Sequence, residues 1–153
     1  DLCCACPDLQ RGFLGRFLVD GAQAMNNSNT GVILFAHGSR DPLWRLPIDA
    51  VAQCMTAQWP EMRVAVAFLE LTEPDLPDTV EALMKQGIHR IRIVPMFLGV
   101  GRHAREDLPR LVHDLQEAYP QMAFELLPAI GEHPAMTALM ADIAAGQAVH
   151  ASS

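Results

Sequence analysis

Basic residues are in deficit in this sequence: 11 Lys and Arg stand against 18 Asp and Glu, a formal net charge of -7 with a pI near 5.2. A nucleic-acid-binding domain needs a basic stripe to meet phosphates, so the balance argues against that class. No apolar run approaches the roughly 20 residues that cross a bilayer, so a membrane partner is not expected. The 4 cysteines are too few and too unevenly placed for a disulfide framework, with three of them crowded into Cys3, Cys4 and Cys6. A reducing, cytoplasmic setting follows as the expectation. There is no internal repeat, and the glycines of Gly99-Val100-Gly101 lack the spacing and following helix of a dinucleotide fingerprint, so no nucleotide is expected.

What the chain does have is apolar substance. Half of its 153 residues are hydrophobic, enough for one domain with a packed core. Residues 1–29 read differently from the rest. The chain opens on Asp1 rather than Met, its cysteine cluster precedes the short stretch Phe13 to Val19, and Met25 sits just before the polar Asn26-Asn27-Ser28-Asn29. The expectation is an amino-terminal extension, disordered or an artificial addition, then a single domain over 30–147 and a frayed tail over 148–153. Thiolates bind soft metals, but an unstructured tail is the plainer account of Cys3, Cys4 and Cys6.

Three apolar runs end abruptly on polar residues. Gly31 to Ala36 meets His37-Gly38-Ser39-Arg40-Asp41; Val64 to Leu69 ends on Glu70; Ile91 to Leu98 leads into Gly99-Val100-Gly101-Arg102-His103. Runs of this kind read as strands covered on both faces, hence a parallel α/β sheet. A fourth strand is expected over Met122 to Leu127. Four helical segments alternate with the strands. The first carries Val51, Cys54 and Met55 on its buried side, has Pro47 in its first turn and closes at Trp59-Pro60. The second is capped by Asp75, buries Val80, Leu83 and Met84 and stops at Gly87. The third starts near Asp107-Leu108-Pro109 and buries Leu111, Val112 and Leu115; the last opens at His133-Pro134, carries Met136, Leu139, Met140 and Ile143, and ends at Gly146. The pattern predicts a four-stranded, mostly parallel sheet with helices on both faces; the flavodoxin-like order 2-1-3-4 is the expected one because it sets the second and third strands on either side of the first, and sequence alone does not prove it.

In such sheets ligands bind beyond the carboxyl ends of the strands, and that order puts His37, Glu70 and His103 on neighbouring strand exits. Two imidazoles and a carboxylate there are the makings of a divalent-metal site. Each has a duller alternative: His37 bonding its own loop, Glu70 simply solvated with Glu73 as its competitor, His103 exposed on a glycine-flanked loop. His89 sits at the wrong edge of the sheet, His113 on the polar side of a helix and His150 in the tail. His133 is placed to start a helix, though it follows the fourth strand and can line the same cleft. Cys54 reads as a small core residue. Asp41-Pro42 is placed to cap the helix that follows the first strand.

Taken together, Ala36 to Pro42, Ala67-Phe68-Leu69-Glu70, Val94 to Leu98, Gly101-Arg102-His103-Ala104-Arg105-Glu106-Asp107-Leu108-Pro109 and Ala129-Ile130-Gly131-Glu132 resemble the CbiX-type sirohydrochlorin chelatases, in order and at compatible spacing from about Gly31 to Ala145. The resemblance implies a class II chelatase fold and ATP-independent insertion of a divalent metal, usually Co²⁺, into a tetrapyrrole; related enzymes use Fe²⁺ or Ni²⁺. It places the family's two metal-site histidines on His37 and His103, also the catalytic candidates, and its acidic partner on Glu70. Short members resemble one half of longer tandem relatives and act as homodimers. The cysteine-bearing extension has no counterpart in the resemblance.

A tetrapyrrole with several carboxylates would need basic forks and apolar walls. Ser39, Arg40, Arg45, Arg102 and Arg105 are the polar substrate-binding candidates, with Met96, Phe97, Leu98 and Leu43 as walls. Each arginine has the alternative of an ordinary surface charge paired with Glu106 or Asp107. A histidine phosphatase is a distant rival, because Ala36 stands where that chemistry wants an arginine before His-Gly. A non-catalytic carrier of metal or tetrapyrrole uses the same residues as a chelatase.

Overall fold

The structure, a computed structural model, describes residues 29–147, apart from the side chain of His103. The extension with Cys3, Cys4 and Cys6, and the tail with His150, lie outside the described residues. Four strands, β1 (Thr30–Ala36), β2 (Arg63–Phe68), β3 (Arg90–Pro95) and β4 (Ala123–Leu126), form one parallel sheet in the order β2-β1-β3-β4. The expected topology is therefore the observed one. Every residue of β1 is buried, as a central strand covered on both faces requires.

Successive residues of the central strands feed two separate apolar layers. Ile33, Phe35, Ile91 and Ile93 pack with Leu76, Val80 and Leu83 of α2 (Leu76–Lys85) and with Leu108 and Leu115 of α3 (Arg102–Ala118). Val32, Leu34 and Val94 face the other way, onto Ile48, Ala52 and Met55 of α1 (Leu46–Gln58). This period of two is what lets a single strand hold both layers together. The caps match expectation at α2, where the Asp75 carboxylate accepts from the Asp78 N–H, and Gly87, at φ 82°, follows the helix end. His133 likewise caps α4 (Pro134–Ala144), its Nδ1 accepting from the Ala135 N–H.

Three expectations are corrected. First, α3 begins at Arg102, not near Asp107, so His103 lies in a helix's first turn and not in a loop; Pro109 stands inside the helix. Gly101 is the cap and offers no side-chain acceptor, while Leu108 and Leu115 packed on the sheet hold the helix through the proline. Second, β3 ends at Pro95, although Met96 still donates to the Phe35 carbonyl at 2.7 Å. Third, the apolar side of α1 is only partly covered. Ile48 is its one buried residue, Val51 is exposed and Cys54 is half-buried. α4 buries no residue at all, and Leu139 and Ile143 are exposed. Between these two helices an open groove of about 420 Å³ runs over the sheet, lined by Val51, Met55, Met96 and Met136 among others.

Candidate metal and substrate site

The sheet places the exits of β1 and β2 side by side, and their ladder continues past the strands. The Leu69 N–H donates to the Ala36 carbonyl at 2.8 Å, and the Glu70 N–H donates to the His37 carbonyl at 3.0 Å. The Thr72 hydroxyl then donates to the Ser39 carbonyl. The excursion closes where the Phe68 N–H donates to the Pro74 carbonyl at 2.9 Å. His37 and Glu70 therefore sit on two loops laced into one unit, both side chains open to solvent.

Close backbone approach makes this lacing possible. Gly38 adopts φ 97°, and a Cβ there would lie 1.8 Å from the Glu70 carbonyl oxygen. Across the edge, a Cβ on Gly131 would lie 2.0 Å from the Leu98 carbonyl oxygen, while the Gly131 N–H donates to the Phe97 carbonyl at 3.0 Å. The loop after β3 is thus tied to the short helical turn Ile130–Glu132 that precedes α4.

The His37 ring rests on Phe97, with centroids 4.8 Å apart and planes at 45°, and Phe97 in turn meets Phe35 edge-on at 6.3 Å. Phe97, expected as a wall, is buried and serves as the floor beneath the imidazole. Met96 points to the opposite layer and lines the α1–α4 groove; Leu98 is 70% exposed. His103, second residue of α3, enters from the loop after β3, beside β1 in the sheet. Among the described residues, no group of three or more His, Cys, Asp and Glu side chains forms a metal-binding cluster; the His103 side chain is not among them.

The basic candidates divide. Arg40, Arg102 and Arg105 are exposed around this edge. Arg45 is engaged within the fold: it pairs in bidentate fashion with Asp49, at 2.8 and 3.1 Å, and lies over the Phe68 ring at 5.0 Å. The hydrogen bond that Arg45 donates to Asp49 raises the Arg45 pKa above its ordinary value, opposed by partial desolvation and assisted by the carboxylate's charge. The Ser39 hydroxyl accepts from the Asp41 N–H, and the Asp41 carboxylate accepts from the Leu43 N–H to cap the turn Pro42–Arg45, as expected of Asp41-Pro42. Leu43 is 68% exposed. His113 is exposed and 3.5 Å from Glu117, away from the edge on the helix surface.

Two residues of the site unit carried no signal in the sequence. Thr72 looked like one more loop residue, yet its hydroxyl ties the two loops. Leu71 occupies the left-handed region at φ 63°, a conformation that costs a non-glycine residue about 1–2 kcal/mol. Neither propensity nor periodicity anticipates a leucine there.

The CbiX family model matches residues 31–145, which take in all four helices and all of the sheet but its first residue. The chain belongs to the CbiX family. The sirohydrochlorin cobaltochelatase of Methanopyrus kandleri is 33% identical over 81 residues, covering 53% of this chain and 57% of that protein. The chloroplastic sirohydrochlorin ferrochelatase of Arabidopsis thaliana is 28% identical over 103 residues, covering 67% of this chain and 46% of that one. The chain thus spans about half the length of these relatives. A CbiX protein of Marinobacter aquaeolei has a solved structure that aligns with a TM-score of 0.68 at 30% identity, covering 77% of this chain and 96% of that one. The segments that carry the resemblance in the sequence, Ala36 to Pro42, Ala67 to Glu70, Val94 to Leu98, Gly101 to Pro109 and Ala129 to Glu132, all lie within the matched span.

Proposed function

We propose that this chain inserts a divalent metal into sirohydrochlorin without ATP, with Co²⁺ the first candidate and Fe²⁺ or Ni²⁺ next. The observation that carries the reading is the laced pair of loops presenting His37 and Glu70 at the carboxyl edge of a CbiX-family sheet. The similarity to both a cobaltochelatase and a ferrochelatase supports the substrate class and leaves the metal open.

Insertion requires removing two pyrrolic protons from the ring, stripping water from the ion and bending the flat macrocycle so that the ion can approach one face. In this reading His37, His103 and Glu70 hold the incoming metal. Imidazole and carboxylate bind such ions and, unlike a thiolate cage, release them. One imidazole, freed as the metal moves, accepts one pyrrolic proton, a role suited to a side chain whose unperturbed pKa lies near neutrality, and the second pyrrolic proton passes to solvent water. Exposed Arg40, Arg102 and Arg105 meet the peripheral carboxylates, aided by Ser39. Arg45 takes part only by giving up Asp49. Leu98 and Leu43 offer apolar surface to the ring, and Met96 does so from the groove side. The chain acts in the cytoplasm as a homodimer, no nucleotide being required; among the described residues no helix is long and apolar enough to cross a membrane.

The test is absorbance-monitored Co²⁺ insertion into sirohydrochlorin over many turnovers. H37A and H103A are expected to abolish insertion while melting as the parent does; full activity in either variant removes that residue from the mechanism. A parent reaction that stops at one equivalent identifies a carrier instead. Equal Co²⁺, Fe²⁺ and Ni²⁺ in one reaction, with products identified by mass, rank the metals.

A further inference from the structure

We infer that Leu71 is a substrate-contact residue: it presents an apolar side chain to the macrocycle at the lip of the His37–Glu70 unit. The inference rests on the chelatase reading and names a residue of that site that lies outside the motifs quoted above.

Leu71 has an anomalous backbone and no part in the core. Its backbone sits at φ 63°, where glycine or asparagine rests more easily than leucine. The residue is 55% exposed and belongs to neither apolar layer of the core. Folding therefore gains little from a leucine here and loses something by its conformation. Strained backbone of this kind persists where neighbouring contacts over-determine it, and it gathers at ligand sites.

The neighbouring contacts are in place. Glu70 is held through its N–H on the His37 carbonyl, with its own carbonyl packed close to Gly38; Thr72 is held through its hydroxyl on the Ser39 carbonyl. Leu71 is the residue between these two anchors, so it is fixed beside the same His37–Ser39 turn that carries the candidate base and ligand. A tetrapyrrole is a broad apolar ring with a charged periphery. The metal-side face of such a ring needs an apolar surface next to the ligand that delivers the ion, and Leu71 adjoins Glu70 directly.

The experiment uses the 153-residue chain with three readouts: sirohydrochlorin binding by absorbance titration, Co²⁺ binding without macrocycle by calorimetry, and thermal melting. L71N fits the left-handed region and removes the apolar surface; L71M keeps the apolar surface and the conformational burden. For L71N the expected result is a macrocycle Kd weakened about tenfold, the loss of most of one leucine's contact, with Co²⁺ affinity unchanged and melting at or above the parent temperature. KM for sirohydrochlorin should rise while kcat stays within about threefold. L71M should bring the Kd back to within about threefold of the parent. If L71N binds macrocycle as the parent does while the parent inserts metal, the inference is overturned and the chelatase reading stands. A fall in Co²⁺ affinity or melting temperature that parallels the lost macrocycle binding makes Leu71 a support for Glu70 and overturns it as well. A parent that neither binds nor metallates sirohydrochlorin overturns both.

Discussion

Gly38 shows how tightly single residues control the proposed site. Any side chain at this position meets the Glu70 carbonyl oxygen at 1.8 Å and must also adopt φ 97°. Gly38→Ala is expected to cost at least about 2 kcal/mol of stability, read as a lower urea midpoint, and to separate the His37 and Glu70 loops. An unchanged midpoint would mean that the loops are not held as described. Thr72→Val removes only the tie to Ser39; a loss of about 1 kcal/mol is expected in the same assay, since the Ser39 carbonyl would turn to water. Glu70→Gln keeps the shape and removes the charge, so Co²⁺ insertion should slow less than in H37A, and an unchanged rate would make Glu70 a solvated carboxylate. The positions of His37 and Glu70 at strand exits were legible in the sequence because each ends an apolar run with a polar group. Phe97's place beneath the His37 ring was not, because the pairing depends on where two strands end relative to each other.

At the scale of elements, helix ends were readable where a side chain makes the cap. Asp75 and His133 do so, and both helices begin where expected. Asp75→Ala should lower stability by about 1 kcal/mol, measured by thermal or urea unfolding, because the Asp78 N–H loses its acceptor. α3 has no such signal: Gly101 caps it through backbone shape alone, and Pro109 reads as a helix start by its usual preference for a first turn. Packing of Leu108 and Leu115 on the sheet outweighs that preference. The consequence reaches the site, since His103 rides on a helix whose position the core fixes.

For the molecule as a whole, the two faces of the sheet differ. The α2–α3 face is closed by buried side chains, whereas the α1–α4 face keeps an open groove, with Val51, Trp59, Leu139 and Ile143 exposed on its helices and their margins. The proposed homodimer predicts a particle of twice the 16.8 kDa chain mass by light scattering, and a monomer at working concentration would remove that part of the proposal.

Composition and pattern by themselves determined the class of fold and placed His37 and Glu70 where two apolar runs end, while the strand order they favoured is one that the structure bears out. Buried apolar runs admit few arrangements, and the polar residues that end them fall at one edge of a parallel sheet. Only the tertiary structure decided which loops are bonded together, which aromatic ring supports His37, how far α3 extends and that Leu71 stands in the left-handed region. Those features come from contacts between segments distant in the chain, where hydrogen bonds and packing override the preferences each segment has alone.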